Sequence, residues 1–445
     1  MPKRQNIAAD YAENVRAQYE DYPFPRRDPA DERRRLIVSE QHLLAKLNHF
    51  CFGGRQSFNQ GMRILVAGGG TGDQAIFLAE QLRDFDARLV YIDISEASLR
   101  IARERARVRG LENIEWHHGS LLKLPGMGTG PFDLISCTGV LHHLPDPDAG
   151  LRALKSVLAP RGAMSLMLYG RFGRLGVYAG QELMRLVNQG VADNSERVRN
   201  AKSVLRCLPD TNWLLRGSDR EKALEPMLAD DSNLFDLLLH EQDVAYSVPD
   251  IYAMLERQSL ELIEFTHFLQ DVPAFRYLYE PYVFIREPDL RARISRLPRP
   301  LRQGIAEAIS CMLTCHAFYA APDASNRVAQ PNDPEMVPDF LYFDPAPMID
   351  QVQKAGQREV AFPYRHSTVY FEPGPRSAAV MAGIDGARTL PEVFEKVRRS
   401  GAGNVPDREL WEDFMRFYVP LNSMDMIVLR HKSVPAFPAY LPDSN

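Results

Sequence analysis

Cysteine is scarce in this chain: its 445 residues include five cysteines at irregular spacing. So few cysteines, in an odd number, argue against a disulfide framework, and we expect reduced thiols. The sequence also lacks an apolar run that could span a membrane, and its first residues, MPKRQNIAAD, lack the apolar segment of a signal peptide. Neither sign of charge dominates, because 53 Lys and Arg face 58 Asp and Glu, a net charge of -5. We therefore expect a cytoplasmic protein with no membrane or nucleic-acid partner; its oligomeric state stays open.

Strand and helix patterns alternate between Arg63 and Tyr169. Short apolar runs such as RILVAG, ARLVYIDIS and FDLISCTGV predict strands, and EASLRIARERARVRG predicts an amphipathic helix that ends at Gly110. Apolar strands that alternate with helices are typical of a parallel sheet covered on both faces.

A glycine cluster separates the first predicted strand from the first helix, in the stretch RILVAGGGTGDQ. Asp93 follows the second strand, 21 residues after Gly72. That spacing places a carboxylate near the ribose of a nucleoside lying across the strand ends. A structural turn without a ligand and a dinucleotide site, which commonly shows G-x-G-x-x-G, are the alternatives.

The combination of GGGTG, LVYIDIS, GSLLKLP and FDLISCTGVLHHLPDP resembles class I S-adenosylmethionine-dependent methyltransferases over roughly Arg63 to Tyr169. The resemblance implies a Rossmann-like sheet of seven strands and S-adenosylmethionine as cofactor. The flanking stretches QYEDYPFP, LYGRFGRLGVY and AEAISCMLTCHAFY resemble a bacterial multidomain subgroup, some of whose members methylate proteins.

The resemblance also implies the cofactor contacts. The glycines of the loop would line the methionine part, Asp93 and Ile94 would lie at the ribose, Ser120 and Leu121 would flank the adenine, and Thr138 and Gly139 would lie beside the sulfonium. The implied loop residues are Gly68, Gly69, Gly70, Gly72 and Gln74. Two positions depart from the family, since Val66 and Ser120 stand where acids are common, and backbone groups or Gln74 would compensate.

Five further residues are candidates at the methyl-transfer end. His142 and His143 follow the fourth strand, and one of them could accept a proton, or the pair could simply shape the loop. Tyr169 ends the fifth strand and is a candidate substrate contact. Tyr19 and Tyr22 could cap the cofactor from an N-terminal lid, with core packing as the alternative.

Residues 61–170 are predicted as the methyltransferase core. Outside them, the pattern of predicted helices, strands and linkers indicates three more units. Residues 1–60 are predicted as a helical lid, residues 171–320 as a helical insertion with the last strands and the substrate pocket, and residues 321–445 as a linker and a small mixed α+β docking domain. In the last unit, GIDGARTLPEVFEKV resembles the helical part of small winged domains. The stretch from Asp289 to Ala320 is predicted as helical, with Cys311 and Cys315 on one helix face. No metal site is predicted, because these cysteines lack a second ligand pair nearby.

The predicted activity is methyl transfer to a small molecule or a protein side chain. It is weighed against a non-catalytic module that binds S-adenosylmethionine and against a nicotinamide-dependent enzyme on a similar sheet.

Overall fold

The structure is a computed structural model that describes residues 15–215, 219–240, 243–267, 276–341, 343–364 and 367–438. The predicted N-terminal lid is thus described from residue 15 onward. Among the described residues, no helix combines the length and the apolar character needed to cross a membrane.

A seven-stranded sheet in the order β3-β2-β1-β4-β5-β7-β6 organises the molecule. Its strands are β1 Met62–Ala67, β2 Ala87–Asp93, β3 Ile114–His118, β4 Phe132–Thr138, β5 Leu158–Tyr169, β6 Glu261–Thr266 and β7 Cys315–Ala321. Strands β1 to β5 are parallel to one another, and β7 is antiparallel to both β5 and β6. The predicted seven-stranded sheet is confirmed, and the carboxyl ends of five strands meet at one edge.

Helices cover both faces of this sheet because successive residues of each strand point to opposite sides. Ile64 and Val66 pack on one face, and Leu65 and Ala67 pack on the other. The first face is covered by Leu44–Cys51, Asp73–Gln81 and Glu96–Arg109, and the second by Pro147–Ser156 and Val248–Arg257. The predicted helix end at Gly110 is confirmed, since Gly110 adopts the left-handed conformation with φ of +67°.

The remaining described helices lie mostly after β5. They are Leu124–Met127, Leu175–Val187, Asn194–Cys207, Arg220–Ala229, Asp231–Leu234, Pro288–Ser295, Arg299–Ser310, Ala346–Ala355, Ser377–Gly383, Leu390–Val397 and Asp407–Ser423. Residues 15–21 are also helical. The segment from Leu175 to Leu239 has its own apolar cluster, which includes Met184, Leu205 and Phe235.

The helical prediction for residues 311–320 is wrong. The helix Arg299–Ser310 ends at Cys311, whose φ is +49°, and Cys315 begins β7. Cys311 is exposed and Cys315 is buried, so the two do not share a helix face. The error has a physical cause: β7 lies between β5 and β6 and is buried on both faces, so it lacks the alternating pattern that identifies a strand.

The C-terminal segment combines helices with two small antiparallel sheets. Strand β8 Met336–Phe340 pairs with β11 Ile427–His431, and β9 Val360–Tyr364 pairs with β10 Ser367–Phe371. Its apolar cluster is separate from those of the large sheet. Buried polar contacts nevertheless join it to the helix Leu44–Cys51: Lys46 pairs with Asp425 at 2.6 Å, and the Leu429 N–H donates to His49 Nδ1. The division at residue 321 stays a prediction.

Candidate active site at the carboxyl ends of the strands

The glycine loop between β1 and the helix Asp73–Gln81 requires glycine for two reasons. Gly68, Gly70 and Gly72 have φ of +71°, +52° and +105°, a region that other residues rarely adopt. The loop is also closely covered, because a Cβ on Gly70 would lie 2.6 Å from the carbonyl oxygen of Phe24. On Gly69, a Cβ would strike the ring of Tyr91. Close approach to the loop is thus achieved here by the chain itself, through its N-terminal segment.

Asp93 is joined to the glycine loop. Its buried carboxylate accepts hydrogen bonds from the backbone N–H of Gly70 at 2.8 Å and of Ser95 at 2.9 Å. Burial raises the pKa of Asp93, and the backbone donors oppose that rise. Each carboxylate oxygen has a further lone pair, so the group can still accept a hydroxyl.

The N-terminal segment contacts this end of the sheet, and its role as a lid stays a prediction. Thr71 Oγ1 donates to the carbonyl of Pro25 at 2.6 Å, and the Glu20 carboxylate accepts from the first N–H groups of the helix Glu96–Arg109. Arg27 forms an ion pair with Asp73 at 2.7 Å, in the helix that follows the loop. Thr71, Pro25 and Glu20 were missed by sequence reasoning, since nothing local links positions so far apart.

The other predicted cofactor residues lie at the same edge. Gln74 is in the first turn of the helix Asp73–Gln81, and Ile94 directly follows β2. Ser120 follows β3 and accepts a hydrogen bond from the Leu122 N–H, while Leu121 is buried. Thr138 ends β4, and Gly139 follows it with φ of +77°. The structure therefore brings all of them to the ends of β1 to β4.

His142, His143 and Tyr169 are also brought together. The two histidines form a short turn after β4, and Tyr169 ends β5. The ring of His142 stacks on that of Tyr169, with centroids 3.8 Å apart. His142 is completely buried, and neither of its ring nitrogens has a hydrogen-bond partner among the described residues. Buried polar groups are normally paired, so this ring has room for a partner that the described residues do not supply.

Asp236 and His240 complete this group and were missed by sequence reasoning. Asp236 lies in a π-helical turn, Phe235–Leu239, and His240 follows it. The hydroxyls of Tyr19 and Tyr169 donate to the two oxygens of Asp236, at 3.1 and 3.2 Å. His240 stacks on His143 with ring centroids 3.9 Å apart. We call His142, His143, Tyr169, Asp236 and His240 the β4-tip cluster.

Tyr22 has a different environment from Tyr19. Its ring stacks on Phe235, with centroids 4.9 Å apart, within the apolar cluster of the segment Leu175–Leu239. Tyr19 thus reaches the β4-tip cluster through its hydroxyl, whereas Tyr22 holds the N-terminal segment against the helices.

Burial sets the protonation of the β4-tip cluster. It lowers the pKa of His142 well below its usual value, and His143 and Arg174 add to that effect. Burial raises the pKa of Asp236, which Arg174 opposes, and burial together with Asp236 raises the pKa of Tyr169 well above its usual range. The Arg174 guanidinium lies 3.6 Å from the centre of the Tyr169 ring. At neutral pH, His142 is therefore a neutral imidazole with one acceptor and one donor nitrogen.

Comparison with known proteins adds to this geometry. Residues 64–162 match the family described as "Methyltransferase domain". An uncharacterized protein of Synechococcus sp., syc1184_c, is 30% identical over 308 residues, or 68% of this chain and 70% of that protein. The tRNA 5-carboxymethoxyuridine methyltransferase of Escherichia coli K12 is 30% identical over 167 residues, or 36% of this chain and 62% of that enzyme. PKMT2 from Rickettsia typhi, solved in complex with AdoHcy, has a TM-score of 0.60 at 14% identity over 83% of this chain and 72% of that one, which shows a shared fold.

The strand order, the glycine loop after β1 and the acid after β2 define a Rossmann-like fold of the methyltransferase type. The chain belongs to the class I S-adenosylmethionine-dependent methyltransferases. Its reaction is methyl transfer, and its cofactor is S-adenosylmethionine.

The residues present fit that cofactor. Asp93 retains acceptor capacity for a ribose hydroxyl, and the loop presents positive-φ glycines beside it. At the other end, the His142 nitrogens, which have no partner among the residues that the structure describes, mark a buried polar surface beyond β4.

Proposed function

We propose that this chain transfers the methyl group at the β4-tip cluster, to a nucleophile carried by a small molecule or a protein side chain. One observation carries the proposal: His142 is buried, stacked on Tyr169, and has no hydrogen-bond partner for either ring nitrogen among the described residues. A bound acceptor with a polar group would pair one of those nitrogens.

The cofactor residues are proposed from the family resemblance together with the observed positions. Gly68 to Gly72 hold the methionine part with Gln74 nearby, Asp93 and Ile94 hold the ribose, and Ser120 and Leu121 flank the adenine. Thr138 and Gly139 lie at the sulfonium end. The cofactor supplies a methyl group on a good leaving group.

The chain's own contribution is alignment and exclusion of water. The rings of Tyr169 and His142 form a stacked wall, and Asp236 fixes the hydroxyl of Tyr169. A buried wall of this kind holds a nucleophile in line with the methyl carbon and keeps water from competing for it. His142 acts in this scheme as a neutral hydrogen-bonding group, since the pKa of a buried imidazole beside Arg174 is too low for efficient proton capture.

The segments outside the sheet bear on the substrate class. Asp236 and His240 come from the helical segment after β5, so that segment contributes directly to the proposed acceptor site. The tRNA methyltransferase relative matches only 36% of this chain, so its substrate does not transfer to this protein. We propose a cytoplasmic enzyme of a bacterial multidomain subgroup, with residues 321–445 docking the substrate or a partner and with no nucleic-acid substrate.

The test is transfer of a labelled methyl group. The full chain is incubated with methyl-labelled S-adenosylmethionine and an extract of cells that lack the protein, and the labelled products are separated by size. We expect label in an acceptor whose size distinguishes a small molecule from a protein. Cofactor binding in calorimetry without any labelled acceptor would contradict the proposal and favour a non-catalytic binding module.

A further inference from the structure

Three side chains of the β4-tip cluster offer metal ligands to one point. His143, Asp236 and His240 are all buried, and one ligand atom from each lies within 4.8 Å of the other two. His143 comes from the turn after β4, Asp236 from the π-helical turn Phe235–Leu239, and His240 directly follows that turn. We propose that His143, Asp236 and His240 bind a divalent transition-metal ion, of the zinc or iron(II) class, at the acceptor end of the active site. The ion's role in methyl transfer rests on the proposed function, whereas its binding does not.

Charge is the first argument for a cation. Asp236 accepts hydrogen bonds from two neutral hydroxyls, those of Tyr19 and Tyr169. Among the residues that the structure describes, Arg174 is the cation that acts on Asp236, and it does so without a hydrogen bond to the carboxylate. A buried carboxylate without a direct counter-charge is costly. A metal ion at its oxygens would supply that charge.

Ligand chemistry selects the class of ion. Two imidazoles and one carboxylate suit zinc and iron(II), whereas magnesium and calcium prefer sites made of oxygen atoms. Three protein ligands leave at least one coordination position open, as in catalytic rather than structural metal sites. That open position would face an oxygen or nitrogen of the methyl acceptor.

The surrounding hydroxyls have the arrangement of supporting groups around a metal. Tyr19 and Tyr169 each fix one oxygen of Asp236, and the Tyr19 hydroxyl lies 3.3 Å from Nε2 of His240. Such partners orient ligating carboxylates and imidazoles, and their loss commonly weakens metal binding.

Coordination requires a small inward movement. Ligand atoms that are bound about 2.1 Å from one ion lie roughly 3 to 3.5 Å from each other. In the structure, the ligand atoms of these three side chains lie within 4.8 Å of one another, so they must move somewhat closer. The rings of His143 and His240 are stacked with an interplanar angle of 22°, so each must turn about its last side-chain bond to aim a nitrogen at the ion. That torsion is broad in histidine, so the ring can turn without leaving a favoured conformation.

The local sequence supports a paired ligand set. Asp236 and His240 stand four residues apart in DLLLH, a spacing that places two side chains on one side of a helical turn. π-helical turns are frequent at functional sites. An acid and a histidine at this spacing are the signal that sequence reasoning could have used.

The experiment measures metal binding directly in the full chain. The protein is stripped with a chelator and titrated with Zn²⁺ in equilibrium dialysis and with Co²⁺ in visible absorption spectroscopy. We expect one equivalent of Zn²⁺ and Co²⁺ bands of a nitrogen–oxygen ligand set, and no comparable binding of Mg²⁺. His143→Gln, Asp236→Asn and His240→Gln should each lose the Co²⁺ bands, and Tyr169→Phe should bind roughly 10- to 100-fold more weakly.

His117→Gln is the matched control, because His117 lies in β3, outside the β4-tip cluster. Its Nε2 is 2.6 Å from a carboxylate oxygen of Glu115. It should retain the full equivalent of metal. Circular dichroism identifies the folded variants, and loss of the bands in any two folded ligand variants supports the proposal. Absence of Zn²⁺ and Co²⁺ binding by the wild-type chain overturns it whatever the variants do. Binding that survives in folded His143→Gln and His240→Gln also overturns it.

Calorimetry with S-adenosylmethionine separates this inference from the proposed function. A chain that binds cofactor and transfers methyl groups but binds no metal leaves the proposed function intact and refutes the metal site. A chain that binds metal but transfers no methyl group refutes the proposed function alone.

Discussion

The two ends of the proposed active site are built in different ways. The proposed cofactor end is local: the glycine loop and Asp93 follow neighbouring strands and are joined by one hydrogen bond from the Gly70 N–H. The β4-tip cluster is assembled from distant segments, since Tyr19 and Asp236 contact each other across 217 positions of the chain.

This difference explains why the sequence predicts the cofactor end of the site better than the acceptor end. A parallel sheet gathers the strand ends at one edge, so a short motif after each strand is enough to hold a nucleoside. The acceptor end depends on the helices after β5, whose placement is set by packing and not by a spacing rule. The family is therefore readable from the sequence, and the substrate is not.

The largest effect on cofactor binding that we expect comes from Gly70→Val. The new side chain would meet the carbonyl oxygen of Phe24 and would need a positive φ, so the loop and the segment above it must shift. Affinity for S-adenosylmethionine in calorimetry should fall by roughly 100-fold or more, corresponding to about 3 kcal/mol.

Gly110→Ala is the control for Gly70→Val, because Gly110 also has positive φ but faces open space. It should bind cofactor normally. Normal binding by Gly70→Val would show that the loop tolerates a side chain and is not a close-fitting cofactor site.

Asp425→Asn tests whether both ends of the site depend on the buried ion pairs of Asp425 with Lys46 and Arg276, which join the C-terminal segment to the rest of the molecule. It leaves Lys46 and Arg276 without their buried partner, so the free energy of unfolding should fall by about 3 to 5 kcal/mol. Cofactor affinity of the folded variant should stay unchanged. Unfolding that matches the wild type in denaturant titrations would show that these ion pairs contribute nothing to stability.

The same pair gives a dependence of stability on pH. Although burial opposes ionisation, Lys46 and Arg276 hold the pKa of Asp425 at about 2, below an unfolded value of about 3.9. The stabilisation is therefore complete above the unfolded pKa and is lost as the pH falls from about 4 to about 2. Asp425→Asn should lack this component of the acid dependence, which parallel denaturant titrations between pH 5 and pH 2 would measure.

A smaller effect is expected from Asp93→Ala. Loss of a charged hydrogen-bond acceptor should weaken cofactor binding by roughly 1 to 3 kcal/mol, and the loop also loses its bond from the Gly70 N–H. Asp84→Ala removes an exposed acid that precedes β2, at the opposite end of that strand from Asp93, and should leave affinity unchanged. Equal affinities of folded Asp93→Ala and wild type would remove Asp93 from the cofactor site.

Sequence reasoning reached the sheet because strand and helix periods differ clearly between Arg63 and Tyr169. It failed at β7, where burial on both faces removed the alternation that identifies a strand. From their places after β4 and β5, it selected His142, His143 and Tyr169, which the structure brings together and whose roles stay a prediction. It missed Asp236 and His240, because DLLLH reads as a helix whose neighbours only the folded chain reveals.

The central claim is that the methyl group is transferred beside His142, and a comparison of His142→Phe with the wild type tests it most directly. Phenylalanine keeps the ring that stacks on Tyr169 and removes both nitrogens. With labelled S-adenosylmethionine at saturation, we expect the variant to bind cofactor within about twofold of the wild type and to lose at least tenfold in the rate of labelling, the cost of about one lost hydrogen bond. Equal labelling rates would contradict the account and place methyl transfer elsewhere.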